Sequence, residues 1–203
     1  MKKNLASNIA EFESIRRSVA TTFDLDARLP GMVFLMPSKF ALFCEYEALF
    51  AADFWPALTE LAAVHGDSVV DLLVIEPNAA SYYIPEYRMY PAFSLPVESN
   101  EDRYWDALNE EPEGDITGAV IHSANMIALS GLSARWGIWA DRHLGIAVVQ
   151  GAPIEDDSGS WRERNGPFLG VEDALVHYVA PNFGGQVPEA LAGELTAKFG
   201  NRL

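Results

Sequence analysis

Cysteine is nearly missing from this chain. Cys44 stands alone among 203 residues, so no intramolecular disulfide can form. Basic residues are also scarce: 14 Lys and Arg face 29 Asp and Glu, for a formal net charge of −15. That balance repels phosphate backbones and anionic bilayers, which argues against nucleic acid and membrane as partners, and it attracts basic ones. Long apolar runs are absent too. None approaches the ~18 residues of a membrane span. After Met1-Lys2-Lys3, the residues Asn4, Ser7, Asn8 and Glu11 interrupt any signal-peptide core. Asn-x-Ser/Thr sites are missing as well, and the expected location is the cytoplasm.

Motif chemistry is equally thin. His65, His122, His143 and His177 are the four histidines, and no two have zinc-ligand spacing. There is no nucleophile elbow, phosphate-cradling loop or dinucleotide fingerprint. Residues 155–159 (Glu-Asp-Asp-Ser-Gly) look like a calcium loop, but placing Gly159 sixth puts Ile154 where a carboxylate is required. Cys44 lies in apolar company and reads as a small buried hydrophobe. No catalytic residue, metal site or cofactor is expected from these patterns.

What the chain does have is apolar material, 49% of it, enough for a sizeable core within one domain over 1–203. The clearest fold signal is the stretch 126–150. Three β-like runs, 126–129, 134–139 and 144–149, are separated by Ser130-Gly131 and by residues 140–143. They predict an antiparallel meander, with Trp136, Ile138, Ile146 and Val148 on one buried face. Apolar spacing predicts an amphipathic helix over 4–23 and a terminal helix over 187–199 with Pro188 in its first turn. A helix over 53–65 capped by Asp53, a strand over 69–75 and a helix over 100–111 presenting Tyr104, Trp105 and Leu108 inward fall between them. Residues 39–52 fit either a strand or a helix. The whole predicts an α+β fold: a central, mostly antiparallel sheet with a late three-stranded meander, and helices at both ends packed on it.

Two features suggest contacts with other molecules. One is acid: Glu110, Glu111, Glu113 and Asp115 in one turn, Asp156 and Asp157 in another, with Trp161 beside the second as a candidate aromatic anchor. The other is the tyrosine-rich stretch 82–93, where Tyr82, Tyr83 and Tyr87, together with Trp105, are candidates to line a pocket. Solubility and coverage of the core edge account for the same residues without any partner.

The run Trp136-Gly137-Ile138-Trp139-Ala140-Asp141-Arg142, followed by Ile146-Ala147-Val148-Val149, resembles the late Trp-rich hairpin of small acidic bacterial immunity proteins that accompany toxins. The resemblance covers about a tenth of the chain and transfers no site residue. It implies a non-enzymatic inhibitor that docks an acidic face on a basic protein and blocks it. The alternative from the residues themselves is an enzyme or small-molecule-binding domain with an aromatic-lined pocket.

Overall fold

A computed structural model describes residues 4–153 and 161–200. Six strands form one sheet: β1 (Ala41–Glu45), β2 (Val69–Glu76), β3 (Ala92–Pro96), β4 (Met126–Ser130), β5 (Gly137–Asp141) and β6 (Ile146–Gln150). Their order is β1-β6-β5-β4-β2-β3, and every neighbouring pair is antiparallel. The helices are α1 (Ile9–Val19), α2 (Trp55–Val64), α3 (Ile84–Tyr87), α4 (Glu101–Leu108), α5 (Val120–Ser123), α6 (Trp161–Arg164), α7 (Val171–Ala174) and α8 (Glu189–Phe199). The α+β architecture with a late meander is what the sequence predicts. Among the described residues, no helix is long and apolar enough to cross a membrane.

Both faces of the sheet are buried. Val70, Leu72 and Val74 of β2 meet Leu58 and Leu61 of α2 and Tyr104 and Leu108 of α4. Leu73 and Ile75 meet Phe12, Ile15 and Val19 of α1 and Leu195 and Phe199 of α8. Alternation along β2 thus feeds two cores at once. The helix starts follow local chemistry. The Asn8 side chain accepts from the Glu11 N–H at 3.0 Å, and Asn100 caps α4 in the same way. Pro56 sits in the first turn of α2, where its missing N–H is tolerated. The residue preceding α2 is Phe54, without a side-chain cap, because the 3-10 turn Ala52–Phe54 occupies the place expected for Asp53. The ambiguous segment 39–52 divides: β1 first, then the 3-10 turn Tyr46–Phe50.

The meander forms, but its facing differs from the expectation. Trp136 and Ile138 join the α2 core, while Ile146 and Val148 join the α1 core. The loop between β5 and β6 has four residues, so Asp141 pairs with Ile146 and Ile138 with Val149. An even loop makes even-numbered residues face odd-numbered ones, and directly paired residues share a face. Trp105 also departs from the expectation: it is 41% exposed, while Tyr104 beside it is buried.

Trp136 is 1% exposed, and its indole N–H donates to Asp67 at 2.8 Å. The same carboxylate accepts the Ser133 N–H and hydroxyl, both at 2.7 Å, tying the start of β2 to the β4–β5 loop. Truncation would therefore remove a large packed ring and one buried hydrogen bond. Trp136→Ala is expected to lower the unfolding free energy by about 3–5 kcal/mol. Urea unfolding tests this, and a loss near the ~0.5 kcal/mol of surface changes would contradict the packing.

Candidate functional site

The end of the sheet where β2 and β5 finish and β4 begins gathers most of the chain's distinctive polar groups. After Glu76 the chain turns at Asn78, whose side chain accepts the Ala80 N–H at 2.9 Å. A π-turn over Ala79–Tyr83 then runs into α3. This wide turn brings Tyr82, Tyr83 and Tyr87 together, with ring centroids 5.1, 5.6 and 6.5 Å apart. Tyr83 is fully buried, and its hydroxyl shares a 2.7 Å hydrogen bond with Ser123. Burial pushes that phenol up to about 12. Tyr82 and Tyr87 are half-buried and share a 3.3 Å hydrogen bond, which leads on to Thr117 at 3.3 Å. Thr117 in turn donates its N–H and hydroxyl to Asp115, at 2.9 and 2.7 Å. Those two bonds hold the exposed Asp115 carboxyl below the usual carboxylate range.

The tyrosine stretch and the first acidic turn, separate in sequence, therefore form one surface. The fit depends on Gly118. A methyl group there would collide with the Pro112 ring and come 3.0 Å from the Tyr87 ring. Glu86 and Glu111 are exposed nearby in the chain, and Ile116 is 55% exposed. Glu110 has a different task. Half-buried, it accepts the N–H groups of Asn4 at 2.7 Å and Leu5 at 3.3 Å and pins the start of the chain. Glu113 lies in the 3-10 turn Pro112–Gly114.

Other expected contact residues lie elsewhere. Trp161 is 1% exposed, with its ring 4.5 Å from that of Phe168, so it is a core residue and not a surface anchor. Its helix α6 is held to α2 by Arg164 and Asn165, both bonded to Glu60. Asp156 and Asp157 fall outside the described residues. Among the described residues, no ring contact joins Trp105 to the tyrosines, and no cavity found is lined by Tyr82, Tyr83, Tyr87 and Trp105 together.

The residue that sequence reasoning missed is Arg142. Its guanidinium donates to the carbonyls of His122 at 2.8 Å and Ile121 at 2.7 Å, and lies 5.1 Å over the Tyr46 ring. Tyr46 adds a 2.8 Å bond to the Ala124 carbonyl. Together with the Tyr83–Ser123 bond, these contacts hold α5 onto the sheet end. A forked cation in a hairpin turn beside an aromatic core was the available signal.

Beside Arg142 opens a cleft of about 690 Å³ lined by Glu76, Asn125, Met126, Asp141, His143 and Asn182, among others. Asp141 is 3% exposed and accepts the Leu144 N–H at 3.1 Å, closing the β5–β6 loop. Burial raises its carboxyl. The Leu144 and His143 amides and the His143 ring oppose that rise, and Glu76 adds to it. No group of three or more metal-ligating side chains occurs among the described residues. Burial likewise raises the Cys44 thiol, which keeps it a thiol in the core. The arrangement presents negative charge, tyrosine hydroxyls and a polar cleft. No protein family model, curated protein or solved structure matches the chain.

Two predictions follow the geometry. Arg142→Ala is expected to cost about 1.5–3 kcal/mol, the range for hydrogen bonds from a charged donor, and to lower amide-exchange protection around α5. Arg142→Lys is expected to recover little, since a point ammonium cannot span two carbonyls as the fork does. Protection unchanged at Val120–Ser123 in both variants would remove Arg142 as the clasp. The second concerns Asp141. The folded chain holds its proton more tightly than the unfolded chain does, so stability falls as pH rises from the ordinary carboxylate value toward the raised one. Asp141→Asn keeps an acceptor for Leu144 and flattens that part of the profile. Urea unfolding between about pH 4 and about pH 8 tests it, and a mutant curve parallel to wild type would contradict the assignment.

Proposed function

We propose that this chain is a non-enzymatic binding protein that blocks a basic surface of another protein, in the manner of toxin-neutralising immunity proteins. The carrying observation is the union of the two contact features in one surface: Tyr82 and Tyr87, linked through Thr117 to Asp115. Tyrosines supply contact area with a polar tip, and an exposed Ile116 adds apolar area. Carboxylates around them repel wrong partners and speed encounter with a basic one. The polar groups of this surface are bonded to one another, an arrangement suited to a stable docking face. A cytoplasmic setting accords with the lone buried thiol.

The sheet-end cleft supports a second reading, a site for a small cationic molecule held by Glu76 and Asp141. The two readings differ in which substitutions matter. A partner is first captured from the source cell. Association rates are then compared for wild type and a Glu86→Gln, Glu111→Gln, Asp115→Asn variant, in which the remaining amide oxygen at position 115 still accepts from Thr117. The variant is expected to associate about tenfold more slowly at low salt, with a flatter salt dependence. An unchanged rate, or a partner whose docking surface is acidic, overturns the docking reading. Binding of a small amine lost only in Glu76→Gln would favour the cleft.

A further inference from the structure

One polar row crosses the α1 face of the sheet. The strand register aligns Ser94, Asp71, Ser130, Gly137 and Gln150 across β3, β2, β4, β5 and β6. Directly paired residues share a face, so Ser94 and Ser130 flank Asp71. Ser18 of α1 comes down on the same carboxylate. Asp71 is 2% exposed and Ser130 is 0% exposed. The buried Ser18 and Ser130 hydroxyls have no hydrogen-bond partner among the described residues. The Ser18 and Ser94 hydroxyls are near enough to favour a charge on Asp71, yet the Ser18 hydroxyl closes no bond of normal geometry. Buried polar atoms are almost always paired, so two unpaired hydroxyls beside a buried carboxylate need a cause.

Among the described residues, no basic side chain supplies it. The ion-paired arginines there, Arg16, Arg28, Arg142 and Arg164, are matched with Glu13, Glu76, Glu47 and Glu60. The other charge near Asp71 is Asp67, of the same sign, already bonded to Ser133 and Trp136. The groups facing Asp71 are thus Ser18 from α1, Ser94 from β3, Ser130 from β4 and Asp67 from the loop before β2.

We propose that Asp71, Ser18, Ser94 and Ser130 form a binding site for a small monovalent cation, sodium. All four offer hard oxygen donors, the preference of unpolarisable cations. One carboxylate balances one positive charge, whereas a divalent ion would leave an uncompensated charge in a buried setting. Ser94 is exposed on the edge strand and provides the way in. The ion would join α1 to three strands at once, so its binding strengthens the seat of that helix. A proton competes for the same carboxylate, whose affinity for it burial raises.

Melting midpoints of the full chain are compared in sodium, potassium and choline chloride at equal ionic strength. Sodium is expected to raise the midpoint over choline by about 2–4 °C, the shift typical of modest stabilisation at this chain length. That increment is expected to shrink at about pH 5 relative to about pH 8, to fall in Ser130→Ala and to vanish in Asp71→Asn. Sodium-23 relaxation on the wild-type protein reads binding directly and needs no variant to fold. Equal midpoints in all three salts with unbroadened sodium resonances, or a sodium increment that persists in Asp71→Asn, overturn the proposal. A midpoint blind to cation identity that rises on acidification in wild type, but not in Asp71→Asn, overturns it in favour of a proton.

Discussion

Burial of the sheet on both faces is the constraint from which the rest follows. Strands β5 and β6 have no exposed position, and β4 is buried from Ile127 onward. Any polar side chain on these strands must find a partner inside the protein or sit at a strand end. Most do the latter. Asp67 precedes β2 and takes three donors from Ser133 and Trp136. Asp141 ends β5 and takes the Leu144 N–H, and Gln150 ends β6 and accepts the Ser38 N–H at 2.9 Å. Each polar terminus fastens a loop. Among the buried acids of the described residues, Asp71 alone lies in the interior of a strand, away from any loop that could complete it.

The same burial explains what was readable in the sequence. The meander was legible because β-branched and aromatic runs alternate with turn residues. Its facing was not, since alternation carries information only where one face is polar. With Trp136, Trp139, Ile146 and Val149 all buried, no residue type marks a side, and loop parity decides. Helix α1 was legible by contrast, because Glu13, Arg16 and Arg17 mark its wet face. Its start at Asn8, not Asn4, reflects the cap and the bridge of Ala6 to Tyr90.

The site was legible as residue types and not as an arrangement. Tyrosines and carboxylates advertise contact surfaces by composition, but their union depends on the π-turn at Ala79–Tyr83 and on a glycine that lets Pro112 and Tyr87 close around it. Neither has a periodic signature. Trp161, followed by Arg162, Glu163 and Arg164, reads as exposed until Phe168, seven residues later, folds back against it. Arg142 shows the opposite failure. Its charge suggests a surface turn, yet its work is to satisfy two backbone carbonyls at the base of α5.

Charge links these observations. A chain at −15 repels itself, and compactness must come from apolar burial. The two-sided sheet supplies that burial, which leaves the few basic residues to local tasks: Arg142 clasps carbonyls, while Arg16 and Arg28 sit beside single carboxylates at 3.5 and 3.9 Å. Among the described residues, Asp115, Glu86 and Glu111 have no ion-pair partner and keep their repulsion in the isolated chain. A basic surface placed over them would relieve that repulsion, so the charge that strains the fold is the same charge that the proposed docking would use.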